Sequence, residues 1–427
     1  MPNVGDERIM GGLDKARQIQ AARGALGHAR HNGAEVDRRR LESGEVWEDF
    51  CDSLRDAGRL ILDAEQPDLP GVRAAGFRYL LGLVKVGVAQ AGELADRDRP
   101  RWLRIIDGFS KWGAENADNH YIATHVRSDA TYRITGTRGS CHTFLIEVRQ
   151  GFMQLGDTAD FANMTAEQVA VAPDGTFEII ASAQQQPGNW LPLDRGARQI
   201  VIRQYFKDWG KEIPATFQIE RLGDDGEPPA PLESEQMAAI LDDAGNWVRT
   251  STEFWGEWVP ELRANHRPGK IVPAVKYVGG ADDIRYGNDY YRLGAGEALI
   301  VELTPPSARY WSFQLCDLWF VTTDYRNRQS SLNDSQIVLD ADGRCRIVVA
   351  HQDPGVPNWL DTAGATEGCL QYRYVWTQDN PVPTARVVPL ETLRSALPAD
   401  TPSVTSEARR QTIRARQRAV ARREQVG

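Results

Sequence analysis

Residues 174–191, DGTFEIIASAQQQPGNWL, recur later in the chain as residues 342–360, DGRCRIVVAHQDPGVPNWL. The two Asp-Gly pairs, at Asp174 and Asp342, lie 168 residues apart, and the tryptophans of the two Asn-Trp-Leu motifs, Trp190 and Trp359, lie 169 residues apart. Further along, Arg203-Gln-Tyr205 corresponds to Arg373-Tyr374. Solenoid units are only ~20–50 residues long. The repeat therefore indicates either two copies of one domain or two halves of one pseudo-symmetric unit.

Short apolar runs between turn residues surround each copy. Residues rich in Tyr, Thr, Ile, Val and Phe predict strands at 121–127, 130–135, 142–149, 176–182 and 198–206, and strands return from Ile271 to about Trp376. Each Asp-Gly predicts a β-hairpin turn, because glycine accepts the positive φ of a tight turn. Few helices alternate with these strands, which argues against a parallel βαβ fold. We expect a mainly β (α+β) fold of two duplicated halves, each a β-sandwich or jelly roll, with flanking helices.

Helical spacing of apolar residues marks the segments before, between and after the repeats. It predicts helices from Val46, over 72–94, over 233–262 and over 406–425, whereas 102–112 fits a short helix or a loop. Pro260 is expected to end or kink the third of these helices. The predicted units are an N-terminal helical region (1–110) with a flexible, polar start to about residue 41, a first β repeat (111–225), a helical connector (226–265), a second β repeat (266–385) and an Arg-rich C-terminal helix (386–427).

Composition narrows the class of protein. The net charge of -9 argues against a nucleic-acid-binding surface. Five scattered cysteines without a CxxC pair favour reduced thiols in a cytosolic protein. The polar start has no secretory signal, and the apolar run 79–89 is roughly half the ~20 residues that a membrane span needs. We expect a soluble cytoplasmic protein that binds neither membrane nor nucleic acid; the C-terminal arginines are interpreted as a solvated face or a subunit contact in a homo-oligomer.

Several separated motifs resemble one bacterial family. They are Asn288-Asp-Tyr-Tyr-Arg292, Ala308-Arg-Tyr-Trp-Ser-Phe-Gln314, Asp324-Tyr-Arg-Asn-Arg-Gln-Ser330 and Pro354-Gly-Val-Pro-Asn-Trp-Leu-Asp361, with Asp118-Asn-His-Tyr121 and Asp129-Ala-Thr-Tyr-Arg-Ile-Thr-Gly136 in the first half. The family is domain of unknown function 1214, and the resemblance covers about residues 110 to 380. It implies a bacterial protein with sandwich or jelly-roll halves, sometimes oligomeric. It implies no catalytic residues, because the family has no known activity.

Familiar catalytic and cofactor motifs are missing from the sequence. His120 and His125 have opposite parity on one predicted strand, so they face opposite ways and cannot share a metal without a bulge. Cys141 and His142 are adjacent on a strand and form no local dyad, and there is no GxSxG elbow. No phosphate-cradling loop is present either. We therefore predict no metal and no cofactor.

The richest polar cluster lies in the second half, in two loops of the predicted sandwich, where binding sites usually occur. The predicted ligand-binding residues are Tyr310, Trp311, Trp319, Arg326, Asn327, Gln329, Asn333, Asn358 and Trp359, and the predicted catalytic residues are His351, Asp353 and Asp361. His351 with either aspartate would make a general acid–base pair. The Asn-Trp motif is present in both halves, which favours a structural corner for it. His351 and Asp361 have no counterparts in the first half, which makes them better functional candidates.

These observations lead to one functional hypothesis and its rivals. The leading one is a cytosolic protein that binds a small, partly apolar organic metabolite in the second repeat, because ligand pockets are lined by aromatic rings and a few polar groups. An enzyme of this kind would use cofactor-independent acid–base chemistry: hydrolysis, isomerisation or elimination. The rival is a non-catalytic protein. It would either bind carbohydrate on exposed coplanar tryptophans, or assemble into oligomers through helices 233–262 and 406–425.

Overall fold

The computed structural model describes residues 32–424, except 68, 158, 224, 225, 227 and 278–283. The predicted flexible start therefore lies largely outside the described residues. Residues 34–41 belong to a helix, so the prediction of a loosely held chain to residue 41 is wrong for them. The helices are α1 (Ala34–Ser43), α2 (Glu45–Asp63), α3 (Pro70–Glu93), α4 (Ser234–Gly256), α5 (Trp258–Asn265), α6 (Leu393–Ala396) and α7 (Ser406–Glu424).

Nine strands form the first half as two facing sheets. They are β1 (Leu103–Ile106), β2 (Asn119–His125), β3 (Tyr132–Thr137), β4 (Thr143–Arg149), β5 (Asp160–Thr165), β6 (Thr176–Ser182), β7 (Trp190–Pro192), β8 (Gln199–Tyr205) and β9 (Thr216–Arg221). Sheet A has the order β1-β2-β8-β4-β5 and sheet B the order β7-β6-β3-β9. Alternate residues of the two sheets, such as Ile146 and Ile179, share one core, so this half is a sandwich as predicted.

The second half repeats this arrangement. Its strands are β10 (Ile284–Arg292), β11 (Glu297–Leu303), β12 (Ala308–Cys316), β13 (Ser331–Asn333), β14 (Cys345–Ala350), β15 (Trp359–Asp361), β16 (Glu367–Thr377) and β17 (Thr384–Pro389). Sheet D has the order β10-β16-β12-β13, and sheet C the order β15-β14-β11-β17. Each strand corresponds to one strand of the first half in chain order: β10 corresponds to β2, β11 to β3, and so on to β17, which corresponds to β9. The predicted duplication is confirmed, and among the strands of the described residues β1 has no copy.

The repeated motifs have the same local role in both halves. Gly175 and Gly343 both adopt positive φ, of 86° and 75°, in tight turns that lead into β6 and β14. Asn189 donates to the carbonyl oxygens of residues 170 and 178, and Asn358 donates to those of residues 338 and 346. These four carbonyls are two pairs, each 168 residues apart. The structural interpretation of the Asn-Trp corner is confirmed.

The prediction for residues 102–112 is wrong at its start. Leu103–Ile106 is a strand that pairs antiparallel with β2, because the β-branched Ile105 and Ile106 fit the edge of sheet A better than a helix. The helix predicted over 233–262 is two helices, which meet at Glu257; Pro260 lies in the first turn of α5, where proline is tolerated.

Sheets A and D face each other at the centre of the molecule, so the sheets stack in the order B, A, D, C. Leu145 and Tyr205 of sheet A pack there against Ile284, Tyr310 and Val375 of sheet D. Helices α2 to α5 cover one side of this contact and share a core with both sheets. Of the helices assigned to oligomer contacts by the sequence, α4 packs against α1, α2 and α3 of its own chain. Assembly remains a prediction.

One face of helix α7 packs against both halves and connects them. Arg409, Arg416 and Arg423 are spaced seven residues apart and are all buried. Arg409 lies over Trp359 of the second half, and Arg423 over Trp209 of the first. The interpretation of a solvated arginine face or a subunit contact is therefore wrong for these three, although Arg410, Arg414 and Arg418 are exposed. No helix within the described residues is long and apolar enough to cross a membrane.

Candidate functional site

A cavity of about 140 Å³ lies where sheets A and D meet helices α4 and α5. Strands β2 and β8 line it from the first half, and β10 and β16 from the second. Ligand sites often occur at such junctions between domains. An engineered cavity of roughly 150 Å³ accommodates a benzene molecule, so this space suits a molecule with one ring.

Aromatic rings from the helices and loops form the apolar wall of the cavity. They belong to Trp112, Phe152, Trp255, Trp258 and Phe320. The rings support each other: Phe320 stacks on Trp258 with centroids 5.2 Å apart, and Trp112 lies 6.1 Å from Trp255. The break at Glu257 between α4 and α5 places two of these tryptophans at the cavity. This wall offers a rigid apolar surface to a ligand.

Two residues in the same wall have strained backbone. Ala114 and Phe320 have φ of 47° and 56°, in the left-handed region that non-glycine residues rarely adopt. The amide of Ala114 donates to the carbonyl oxygen of Phe320 at 2.8 Å, so the two strained residues hold each other. Strain of this kind costs on the order of 1–3 kcal/mol per residue and clusters at functional sites. It supports a functional interpretation of the cavity.

The sheets supply the polar side of the cavity, including three arginines. Arg203 of β8 forms an ion pair with Glu147 at 2.9 Å, and Arg149 donates to the other oxygen of Glu147 at 2.8 Å. Arg149 also pairs with Asp160 at 3.0 Å. The two guanidinium groups of the first half are therefore neutralised by carboxylates of their own sheet.

Arg373 of β16 has no such partner. It is 4% exposed and forms no ion pair with any described carboxylate. Its Nη2 donates to the carbonyl oxygen of Ala114 at 2.9 Å and to the side-chain oxygen of Gln371, while Nε and Nη1 donate to nothing among the described residues. Arginine stays charged in proteins. The cavity wall therefore contains a buried positive charge without a counter-charge.

The repeat explains this difference between the halves. Arg203 lies opposite Tyr121 on β2, and Arg373 lies opposite Tyr286 on β10. On the neighbouring strand, Glu147 occupies the position that Gln314 occupies in the second half. One copy thus carries a carboxylate where the other carries an uncharged amide. The two arginines still meet, because Arg203 donates to the Tyr286 hydroxyl at 3.4 Å and the Arg373 guanidinium lies 5.7 Å from the Tyr286 ring.

Glu115 is a carboxylate that also lines the cavity. It lies 3.5 Å from the ammonium of Lys111, and burial raises the pKa of the Glu115 carboxyl against the attraction of that ammonium. Its Oε1 accepts no hydrogen bond among the described residues. The pair neutralises itself, so Glu115 does not compensate Arg373.

The predicted catalytic residues lie outside this cavity. His351 is hydrogen-bonded through Nδ1 to the Thr362 hydroxyl at 2.7 Å, and its Nε2 lies 3.3 Å from the carbonyl oxygen of Leu293. Asp353 pairs with Arg409 at 2.9 Å, and Asp361 pairs with Arg328 at 3.0 Å. Within the described part of the chain, no hydrogen bond joins the histidine to either aspartate, and each of the three side chains is bound by other protein groups.

The two polar loops do meet, as a site formed by both of them requires. Gln329 donates to the carbonyl oxygens of Pro357 and Trp359, and accepts a hydrogen bond from Arg409 at 2.5 Å. Asn327 and Arg326 contact Gln417 and Glu424, so helix α7 covers the space between the loops. A ligand would have to compete with this helix for the same groups.

The remaining predicted binding residues are part of the framework. Trp311, Trp319 and Trp359 are buried, so they form no exposed coplanar platform for a sugar. Tyr310 donates to Asp118 at 2.6 Å, and Asn333 donates to the other oxygen of Asp118 at 2.8 Å, which ties the second half to the first. Their place as ligand-binding residues stays a prediction.

Other places offer less. No group of three or more His, Cys, Asp or Glu side chains in the described ranges is arranged to hold a metal ion. A wider, open recess lies at the edge of the second sandwich. Four of its ionic side chains form pairs: His266 lies 3.3 Å from Asp289, and Arg263 lies 3.5 Å from Glu367. The aromatic cavity with an unpaired charge is the stronger candidate.

The sequence contained one signal for this cavity. Arg203 and Arg373 belong to matching segments of the repeat, and each is the arginine of a strand that is otherwise rich in apolar and aromatic residues. A charged residue in the middle of a buried strand needs a partner or a function. Nothing in either strand alone indicates that the outer faces of the two sheets meet, so the cavity itself was missed.

Comparison with known proteins agrees with this description of the fold. The family DUF1214, described as proteins of unknown function, matches residues 124–207 and 283–379, one segment in each half. A crystal structure of an uncharacterized protein from Burkholderia cenocepacia is 33% identical and has a TM-score of 0.79, over 84% of this chain and 100% of that one. The VPA0106 protein from Vibrio parahaemolyticus is 10% identical with a TM-score of 0.42, over 79% of this chain and 100% of that one, which is too low to support an argument. No protein with a curated description matches. The chain belongs to the DUF1214 family.

Proposed function

We propose that this protein binds a small organic molecule with one apolar ring or short chain in the cavity between its two halves. The observation that carries the proposal is the set of five aromatic side chains, Trp112, Phe152, Trp255, Trp258 and Phe320, around a space of about 140 Å³. The strained backbone of the same wall and the position at a junction of two domains support it. The sequence hypothesis of a partly apolar ligand is retained, with its place moved from the second repeat to the junction.

The proposal is tested by blocking the cavity. Val201 lines it from β8 and is buried, so Val201→Phe would place an extra ring in the space. Val338→Phe is the matched control, because the same ring is added at a residue that is 40% exposed. Binding of benzamide, benzoate, cyclohexanecarboxamide and cyclohexanecarboxylate is measured by calorimetry for all three proteins.

We expect at least one probe to bind the wild-type protein and Val338→Phe with equal affinity, and to bind Val201→Phe at least about tenfold more weakly, the loss that 1.4 kcal/mol produces. Equal binding to all three proteins, or no binding of any probe, would argue against the proposal. Mass spectrometry of the same mixtures follows turnover. A new product that forms with the wild-type protein and not with Val201→Phe would extend the proposal to the acid–base enzyme predicted from the sequence.

A further inference from the structure

We infer that the ligand is a monocarboxylate, whose carboxylate is bound by Arg373 while its apolar part lies against the aromatic wall. The inference rests on the proposed function and adds the chemical class of the ligand. Its basis is the guanidinium of Arg373, which is buried, lines the cavity and pairs with no described carboxylate. A buried charge is stable only when it is paired, and the missing partner is an anion.

The charge of the site favours one negative charge on the ligand. Lys111 pairs with Glu115, and the two arginines of the first half share Glu147, with Asp160 also next to Arg149. Once these groups are matched, a single positive charge remains, on Arg373. A carboxylate carries one negative charge, whereas a phosphate monoester carries nearly two at neutral pH. The site as built therefore fits a carboxylate better than a phosphate.

The free donors of Arg373 fit the same group. Nε and Nη1 have no acceptor among the described residues, while Nη2 is fixed by Ala114 and Gln371. Both N–H groups of Nη2 are used by these acceptors, so a carboxylate oxygen accepts a charge-assisted hydrogen bond from the free Nη1. The hydroxyl of Tyr286 accepts a hydrogen bond from Arg203, and the ring of Tyr286 lies next to the Arg373 guanidinium. This hydroxyl can therefore donate its own proton to the second carboxylate oxygen.

The test compares acids with their amides, which have almost the same shape and differ in charge. Calorimetry measures benzoate against benzamide, and cyclohexanecarboxylate against cyclohexanecarboxamide, with the wild-type protein, Arg373→Met and Arg309→Gln. Arg309 is the control, because it is a half-exposed arginine that pairs with Glu167 and stacks on Trp376 outside the cavity. Arg373→Lys is a second variant, which keeps the charge and replaces the planar guanidinium by an ammonium group.

We expect an acid to bind the wild-type protein and Arg309→Gln about 30-fold or more tightly than its amide, which corresponds to the ~2 kcal/mol lower bound for a buried charge pair. Arg373→Met should lose this preference, and Arg373→Lys should keep part of it. If acid and amide bind the wild-type protein equally, or if Arg373→Met and Arg373→Lys both keep the full preference, the inference is overturned while the proposed function stands. If neither acid nor amide binds, both fail.

Discussion

Replacing Arg203 by methionine should destabilise the protein, whereas replacing Arg373 by methionine should not. Arg203→Met leaves Glu147 buried with only Arg149 as a partner. Removing one member of a buried ion pair costs about 3–5 kcal/mol. Because Arg149 remains 2.8 Å from Glu147, we expect a loss near the lower end, about 3 kcal/mol.

Arg373→Met removes a charge that has no counter-charge. The desolvation penalty of such a buried ion is several kcal/mol, whereas its two hydrogen bonds contribute about 1.5–3 kcal/mol each. Gln371 keeps a donor after the substitution, since Gln314 donates to it at 2.6 Å, and the amide nitrogen of Gln314 lies 3.3 Å from the carbonyl oxygen of Ala114. We therefore expect the unliganded variant to be as stable as the wild-type protein or slightly more stable, with a difference within about 1 kcal/mol.

The assay is thermal unfolding of both variants in a buffer without carboxylates. For a chain of this length, roughly 1 kcal/mol corresponds to 1 °C in Tm. Arg203→Met should unfold about 3 °C below the wild-type protein, and Arg373→Met should unfold at the wild-type temperature or above it. If Arg373→Met lowers Tm as much as Arg203→Met does, then Arg373 has a structural role and the account of an unpaired, ligand-binding charge is refuted.

Three further predictions concern other charged groups of the structure. Glu147→Gln should remove the charged partner of Arg203, and this should lower Tm by about 3 °C. The same variant should bind a carboxylate probe more tightly, and unchanged affinity would show that Arg203 does not reach the ligand. Burial lowers the pKa of His120 to about 3, below its unfolded value of 6.5, so its neutral form is favoured in the fold and stability is lost as the pH falls through 6.5. When the pH is lowered from 6.5 to 4.5, the free energy of unfolding measured in urea should fall by about 2 kcal/mol less for His120→Gln than for the wild-type protein. An equal fall in both proteins would contradict this prediction. Asp353→Asn removes the ion pair with Arg409, whereas Arg409→Met also removes the hydrogen bonds to Gln329 and Val356, so Arg409→Met should lower Tm more and neither variant should change probe affinity; weaker binding by Asp353→Asn alone would instead support a site in the polar loops.

The fold could be predicted to a large extent because the repeat carries its own evidence. Asp-Gly turns and Asn-Trp corners need local geometry that is visible in a few residues, and each occurs twice. Asn189 and Asn358 make equivalent backbone contacts, which is why the structural interpretation was possible from sequence. Residues 103–106 were assigned wrongly because four residues are too few to show a period.

The site could not be predicted, because it forms where distant elements meet and the sequence does not show which elements are in contact. Tyr121 and Arg203 face Tyr286 and Arg373 only because two sheets from different halves meet face to face. The polar loops were attractive candidates because polar residues on loops often bind ligands. The structure instead fills the gap between them with α7, whose buried Arg409 could not be distinguished by composition from the exposed Arg410.

A crystal structure of the protein with benzoate tests the central claim most directly. We expect electron density for the ring against the aromatic wall formed by Trp255, Trp258 and Phe320, with a carboxylate oxygen within hydrogen-bond distance of Nη1 of Arg373. Benzoate bound elsewhere, or bound in the cavity with its carboxylate turned away from Arg373, would contradict the account.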